Sequence, residues 1–194
     1  MQEFWFYIKL GLEHVLDLNA YDHILFLSAL AIPFTFKSWK QIVILATIFT
    51  VAHCTSLAFS VYGIFSINVA LIEFLIPVTI ALTAIFNFSR VFKKENVTGI
   101  YFQSLATAFF GLIHGFGFSN YFNMLMAEED NKISPLLGFA TGIEFSQIII
   151  ILIILTLAFL IQSVLKVKQS IFIGVTSILI FVATIPMLID TFPK

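Results

Sequence analysis

FSQIIIILIILTLAFLI, at residues 145–161, contains no charged residue and belongs to a longer apolar stretch at 134–162. A helix that crosses a bilayer needs about 20 mostly apolar residues. The whole chain has this character, because 60% of its 194 residues are hydrophobic and 11% are charged. Soluble domains average about 25% charged residues. A soluble fold of this size could not bury so much apolar surface, so a soluble enzyme, a nucleic-acid-binding protein and a disordered chain are excluded.

We therefore predict an all-α fold, a polytopic helical bundle that forms one integral membrane domain over residues 1–194. Residues 4–16 are apolar but short, and LDLNAYD at 16–22 interrupts the helical pattern. We predict that 4–16 forms an interfacial or half-inserted helix, with a seventh full span as the alternative. Six spans are predicted, at 22–36, 39–62, 67–88, 99–125, 134–162 and 169–191.

Basic residues alternate between the connections and predict the orientation by the positive-inside rule. The connections at 63–66 and 127–132 hold one lysine between them, so they are predicted to face outward with both termini. The net charge of −1 offers no basic surface for nucleic acid. The predicted cytoplasmic residues are Lys37, Lys40, Arg90, Lys93, Lys94, Lys166 and Lys168.

Two glycine pairs have the spacing that lets helices approach closely in lipid. One pair is Gly111 and Gly115 in GLIHG, and the other is Gly138 and Gly142. We predict that both pairs serve helix packing.

Ionisable residues inside predicted spans form the candidate site. A central aspartate or basic residue costs about 2.5–3.5 kcal/mol on insertion scales and normally faces a bundle interior or cavity. Counted along the predicted spans, these residues fall at one depth, in the outer half of the membrane. All four histidines of the chain are among them: the set is His14, Asp22, His23, His53, Glu73, His114 and Glu144.

Imidazole and carboxylate together are ligands for nickel, cobalt and zinc, whereas magnesium and calcium prefer oxygen alone. We therefore predict a divalent transition-metal site and leave nickel, cobalt and zinc open. Ser56 and Gln147 share helical faces with His53 and Glu144, so they are predicted beside the ligands, as is Cys54. Ordinary hydrogen bonding between helices is the alternative for Ser56 and Gln147.

Several blocks of sequence resemble the HupE/UreJ family of bacterial membrane proteins. The resemblance implies a nickel or cobalt permease of the bacterial inner membrane, and by position it marks the same seven residues. Cys54 stands where the family usually has serine, which favours softer metals. The blocks are GLEHVLDLNAYDHILFLSAL (11–30), FTVAHCTSLAFS (49–60), LIEFLIPVTIALTAIFN (71–87), FFGLIHGFGFS (109–119) and GFATGIEFSQ (138–147).

Three functions compete at this stage. The first is a permease, with the metal ion as cargo and the lipid bilayer as its other partner. The second is an intramembrane zinc-dependent hydrolase, in which the ion is a cofactor and Glu73 or Glu144 acts as general base. The third is a haem protein with two histidine ligands. A homo-oligomer is possible in each case. The inner halves of the spans are mostly Ile, Leu, Val and Phe, and apart from Asn87 and scattered Ser and Thr we predict no second set of ligands there.

Overall fold

The structure, a computed structural model, describes residues 2–65, 67–93, 100–127, 129 and 131–193. These residues contain no β-strand, and their α-helices confirm the all-α prediction. Residues 94–99, 128 and 130, which include the predicted basic Lys94, lie outside this description. A single 3-10 turn spans Phe36–Ser38, and the helices are α1 (Gln2–Leu16), α2 (Asp22–Ala31), α3 (Trp39–Val61), α4 (Val69–Lys93), α5 (Ile100–Leu125), α6 (Ile133–Ser163) and α7 (Gln169–Asp190).

Helices α3 to α7 run back and forth between two ends of one bundle. The end where α3 finishes is termed the upper end, and the end where α7 begins is termed the lower end. Lys132 Nζ donates to the Val61 carbonyl at 3.2 Å at the upper end. Gln169 Nε2 donates to the Pro33 carbonyl at 3.3 Å at the lower end. The packing order is α6, α3, α5, α4 and α7, with α1 against α6 and α2 between α4 and α6.

Helices α1 and α2 follow one another from the upper end towards the lower end. The Tyr7 hydroxyl, near the start of α1, donates to Glu129 Oε1 at 2.9 Å at the upper end. The Ala29 carbonyl, near the end of α2, accepts a 2.6 Å hydrogen bond from Asn87 Nδ2 in the lower half of α4. The two short helices are therefore stacked in series along the bundle.

The break between these helices follows from local hydrogen bonding. Asp17 Oδ1 accepts from the Asn19 backbone N–H at 2.8 Å, and such a side-chain bond competes with helix continuation. Helix α2 then ends shortly before Pro33, which disfavours helical geometry in the residue before it. The predicted span 22–36 is thus helical over ten residues, which cover about half of a 30 Å hydrocarbon core.

Helix α1 is amphipathic, with its apolar face against α6. Tyr7, Ile8 and Val15 are buried on that face. Lys9 and Glu13 lie on the opposite, exposed face, where Lys9 Nζ is 3.4 Å from Glu13 Oε1. The apolar face of α1 is therefore used for packing within the bundle, and the interfacial or half-inserted position of this helix stays a prediction.

Glycine lets α5 touch α3, and α6 touch α1, backbone to backbone. A Cβ atom on Gly115 would overlap Ser56 Oγ and the His53 carbonyl oxygen. A Cβ atom on Gly142 would overlap the Ile8 carbonyl oxygen. Because lipid supplies no hydrophobic force between helices, such close contacts are a main source of association energy. The predicted glycine pairs do lie at helix contacts.

The outer surface is apolar, as a bilayer requires. Leu152, Phe159 and Leu179 are each half or more exposed. Helix α5 has 26 residues, carries Gln103, His114, Asn120 and Asn123, and is not among the candidate spans. The predicted count of six spans therefore requires that α5 crosses the membrane. It also depends on the part of the membrane that α1 and α2, stacked in series, cross together. Among the described residues, the helices long and apolar enough to cross on their own are Phe36–Val61, Val69–Phe92, Ile133–Ser163 and Gln169–Asp190.

We predict that Gly115→Ala destabilises the bundle, because its Cβ atom would push α5 away from the His53 carbonyl. Overpacking of this kind typically costs about 1–3 kcal/mol. The measurement is the thermal unfolding midpoint in detergent. Gly174→Ala is the matched control, since its Cβ atom would find its nearest neighbour, Val91 Cγ2, at 3.9 Å. Equal midpoints for the two variants would contradict the packing argument.

Candidate metal centre

Four helices bring together all four histidines of the chain and one aspartate. Helix α1 supplies His14, α2 supplies Asp22 and His23, α3 supplies His53 and α5 supplies His114. His23, His53 and His114 are at most 4% exposed. His53 lies about 12 Å along α3 from its upper end, which places the cluster well inside the bundle.

The five side chains form two groups that share His23. In the first group, ligand atoms of His14, His23 and His53 lie within 4.8 Å of one another. In the second group, the same holds for Asp22, His23 and His114. A tetrahedral zinc ion would space its nitrogen ligands about 3.4 Å apart. Each group is therefore at most about 1.4 Å wider than such an ion requires.

The contact with Thr79 determines which ring nitrogen of His114 carries the hydrogen. The Thr79 hydroxyl donates to the Ile76 carbonyl at 2.7 Å, so its hydrogen is already used. His114 Nε2 lies 3.3 Å from Thr79 Oγ1 and must therefore be the donor in that contact. A neutral imidazole with Nε2 protonated keeps its lone pair on Nδ1, the form that binds a metal.

Asp22 orients His23 in the same way. His23 Nδ1 is 3.2 Å from Asp22 Oδ1, and an ionised carboxylate only accepts, so Nδ1 is the donor. The lone pair of the neutral ring then lies on Nε2. An ion held by both Asp22 and His23 Nδ1 would replace the hydrogen between them, which would move to Nε2. Carboxylate or hydroxyl partners of this kind commonly fix the tautomer of metal-binding histidines.

Five ring nitrogens in the cluster are buried and have no hydrogen-bond partner in the described part of the chain. They are His14 Nε2, His23 Nε2, His114 Nδ1 and both ring nitrogens of His53. A buried polar atom without a partner costs about 1–3 kcal/mol. Four imidazoles and one carboxylate fit a transition-metal ion, because coordination would give each ring a partner for one of its nitrogens.

Phenylalanine rings surround the cluster and make its surroundings apolar. The Phe118 ring centre is 4.0 Å from that of His14, and the Phe26 ring centre is 5.1 Å from that of His114. Low polarity strengthens charge–ligand interactions and raises the cost of an unpaired ion. The rings involved are Phe26, Phe49, Phe118 and Phe139.

The two predicted glutamate ligands lie apart from both groups. Glu144 Oε1 accepts a 2.6 Å hydrogen bond from Thr47 Oγ1 on α3, a contact between α6 and α3. Glu73 lies on the exposed face of α4. The structure thus brings together five of the seven residues predicted from sequence, and neither glutamate is one of them.

The predicted supporting residues lie in three different settings. Ser56 Oγ is buried and donates to the His53 carbonyl at 2.8 Å. Gln147 is fully buried, and both of its amide atoms lack a hydrogen-bond partner among the described residues. Cys54 is partly buried against an apolar core cluster that includes Leu57.

The sequence-based site omitted Thr79 and the surrounding aromatic rings. Thr50, three residues before His53, is another omission, because its hydroxyl is buried without a partner among the described residues. One available signal was the spacing of Thr79 and Thr83, which puts two hydroxyls on one face of α4.

The apolar bundle and the buried cluster together define a multi-pass helical membrane protein with side-chain groups that could hold a metal ion. A family model described as HupE / UreJ protein matches residues 1–190, and the chain belongs to this family. This match confirms the resemblance seen in the sequence blocks. Among curated proteins and solved structures, no match is found.

We predict that His23→Ala weakens binding of a divalent transition metal more than His14→Ala does, because His23 belongs to both groups. Loss of a partner outside the ligand set typically costs 10–100-fold in affinity, so loss of the shared ligand should exceed about 100-fold. Isothermal titration of purified protein measures this effect. Glu73→Gln is the control and should bind normally. A loss at Glu73→Gln that equals the loss at His23→Ala would show that the ligand set differs.

We predict that Thr79→Val lowers metal affinity by about tenfold, because His114 loses the acceptor that fixes its tautomer. The same titration measures the change. Thr156→Val is the matched control, since its hydroxyl donates to the Leu152 carbonyl on the outer face of α6. Unchanged affinity in Thr79→Val would mean that this contact does not orient His114.

Proposed function

We propose that the protein is a permease for a divalent transition-metal ion, with nickel and cobalt as the favoured cargo. The observation that carries the proposal is the set of five buried ring nitrogens without hydrogen-bond partners among the described residues. They belong to two ligand groups joined by one histidine. The HupE/UreJ family is associated with nickel and cobalt handling, which supports the same cargo.

The arrangement of ligands supports transport because it offers two overlapping places for one ion. The first group has three imidazoles, and the second combines two imidazoles with the Asp22 carboxylate. A shared His23 lets an ion exchange ligands without leaving the protein. Conduction requires binding that is strong enough for capture and weak enough for release, and overlapping sites meet both demands.

The ion is captured from the outside in this proposal. Lys37, Lys166 and Lys168 lie at or beside the lower end, so the positive-inside rule assigns that end to the cytoplasm. The cluster is then nearer to the outer surface. The protein is accordingly proposed to lie in a bacterial inner membrane with both termini outside.

An intramembrane zinc-dependent hydrolase is the second candidate. It is favoured by the group of three imidazoles, since catalytic zinc sites often have three histidine ligands and one open position. Such an enzyme also needs a general base near the ion. Glu144 is engaged with Thr47 and Glu73 is exposed, so neither glutamate expected as general base lies beside the three imidazoles, which favours the permease.

The test is metal uptake into proteoliposomes that enclose a metal-sensitive dye, with Ni²⁺, Co²⁺ and Zn²⁺ supplied separately. We predict uptake by the wild-type protein and its loss in His53→Ala and His114→Ala, because each variant removes a ligand from one group. Glu13→Gln, on the exposed face of α1, is the control and should transport normally.

Two other results would overturn the permease. Stoichiometric, tightly bound zinc without any uptake would favour the hydrolase. A Soret band in the purified protein would favour haem ligation.

A further inference from the structure

A cavity of about 420 Å³ lies in the lower half of the bundle, between α2, α4 and α5, and it opens on the outer surface where Leu82 and Ile85, each about half exposed, line it. It has room for on the order of ten water molecules at about 30 Å³ each. Its wall is mostly apolar, and none of the described residues that line it is charged. Polar atoms reach it from side chains on α4 and α5: Thr83, Asn87, Ser89, Gln103 and Thr107.

The cavity begins where the metal cluster ends. Phe26 lines the cavity, and its ring centre is 5.1 Å from that of His114. Phe110 also lines it, with its ring centre 5.9 Å from that of Phe26. Phe26 is fully buried, so the two rings separate the Asp22–His23–His114 group from the space below.

Two rows of polar side chains run along α4 and α5 from the level of the cluster to this cavity. On α4, Thr79 contacts His114, and Thr83 and Asn87 follow at intervals of four residues on the same face. On α5, Thr107 and Gln103 lie seven and eleven residues before His114, which also keeps them on one face.

These rows offer the acceptor atoms that a cation needs. Gln103 Oε1 is buried and has no hydrogen-bond partner among the described residues. Thr83 Oγ1 donates to the Thr79 carbonyl, which leaves its own lone pairs available. Neutral amide and hydroxyl oxygens bind a divalent ion more weakly than imidazole and carboxylate do, so an ion here would not be trapped.

We propose that this cavity is the lower half of the ion path. A divalent transition-metal ion passes from the Asp22–His23–His114 group, past the Phe26 and Phe110 rings, into a water-filled chamber. Gln103 and Thr107 there replace part of its hydration. The two rings act as an apolar constriction, which gates ions by excluding water. This inference depends on the proposed permease function.

The opposing possibility is a lipid acyl chain in the cavity, and side-specific labelling distinguishes the two. Thr107→Cys is made in a Cys54→Ser background and treated with a cationic, membrane-impermeant methanethiosulfonate reagent. We expect labelling in inside-out vesicles and none in right-side-out vesicles. Leu105→Cys, 62% exposed on the outer surface of α5, is the matched control that should remain unlabelled. Absence of Thr107→Cys labelling in inside-out vesicles would overturn the proposal.

Transport supplies the second test. We expect Gln103→Leu and Thr107→Val to reduce uptake by about tenfold, because each removes one polar contact from the path. Thr107→Ser keeps the hydroxyl and should restore uptake. Metal affinity measured by titration should remain that of the wild type in all three variants, since the cluster is intact.

The outcomes separate this inference from the proposed function. If the wild-type protein binds metal but transports none, the permease itself fails. If the wild-type protein transports and both Gln103→Leu and Thr107→Val transport equally well, the permease stands and the cavity is not its path. A fall in metal affinity in these variants would place the residues in the binding cluster and also overturn the assigned role.

Discussion

The buried histidine cluster depends on the close contact between α3 and α5. Gly115 leaves no room for a Cβ atom beside the His53 carbonyl, and the next residue back along α5 is His114. The distance between these two histidines is therefore governed by backbone contact. Gly142 plays the same part for α6 and α1, the helix that carries His14. In lipid, where apolar side chains gain little by leaving their solvent, contacts of this kind decide which side chains meet.

Composition and apolar runs were sufficient to predict the fold class, because no soluble fold tolerates this amount of apolar surface. The helices of the N-terminal region were harder to predict, and the reason is physical. Asp17 and Asn19 form a local turn that divides it into two short helices, and hydropathy windows detect only long ones. Lys9 and Glu13 further show that α1 is amphipathic, so its position depends on packing against α6 as well as on apolarity.

The cluster was partly predictable because depth along a span can be counted from sequence. Counting gives the depth of a residue, however, and not the face of the helix on which it lies or the helix that packs against it. Glu73 has a suitable depth but lies on the exposed face of α4, and Glu144 is bonded to Thr47. The polar residues of the inner halves look scattered in sequence for the same reason. Thr83 and Gln103 gather around one cavity only when α4 and α5 pack together.

The cluster has few negative charges, and this bears on whether an ion would be held or released. Asp22 is its single carboxylate among the described residues, so a divalent ion held by it and by neutral imidazoles keeps a net charge near +1. A net charge is costly in an apolar, aromatic-walled site. A second carboxylate would neutralise the ion and hold it in place. With Glu73 and Glu144 both outside the two groups, the proposed cargo would be chosen by nitrogen ligands and held by one carboxylate, a balance that suits release better than permanent binding.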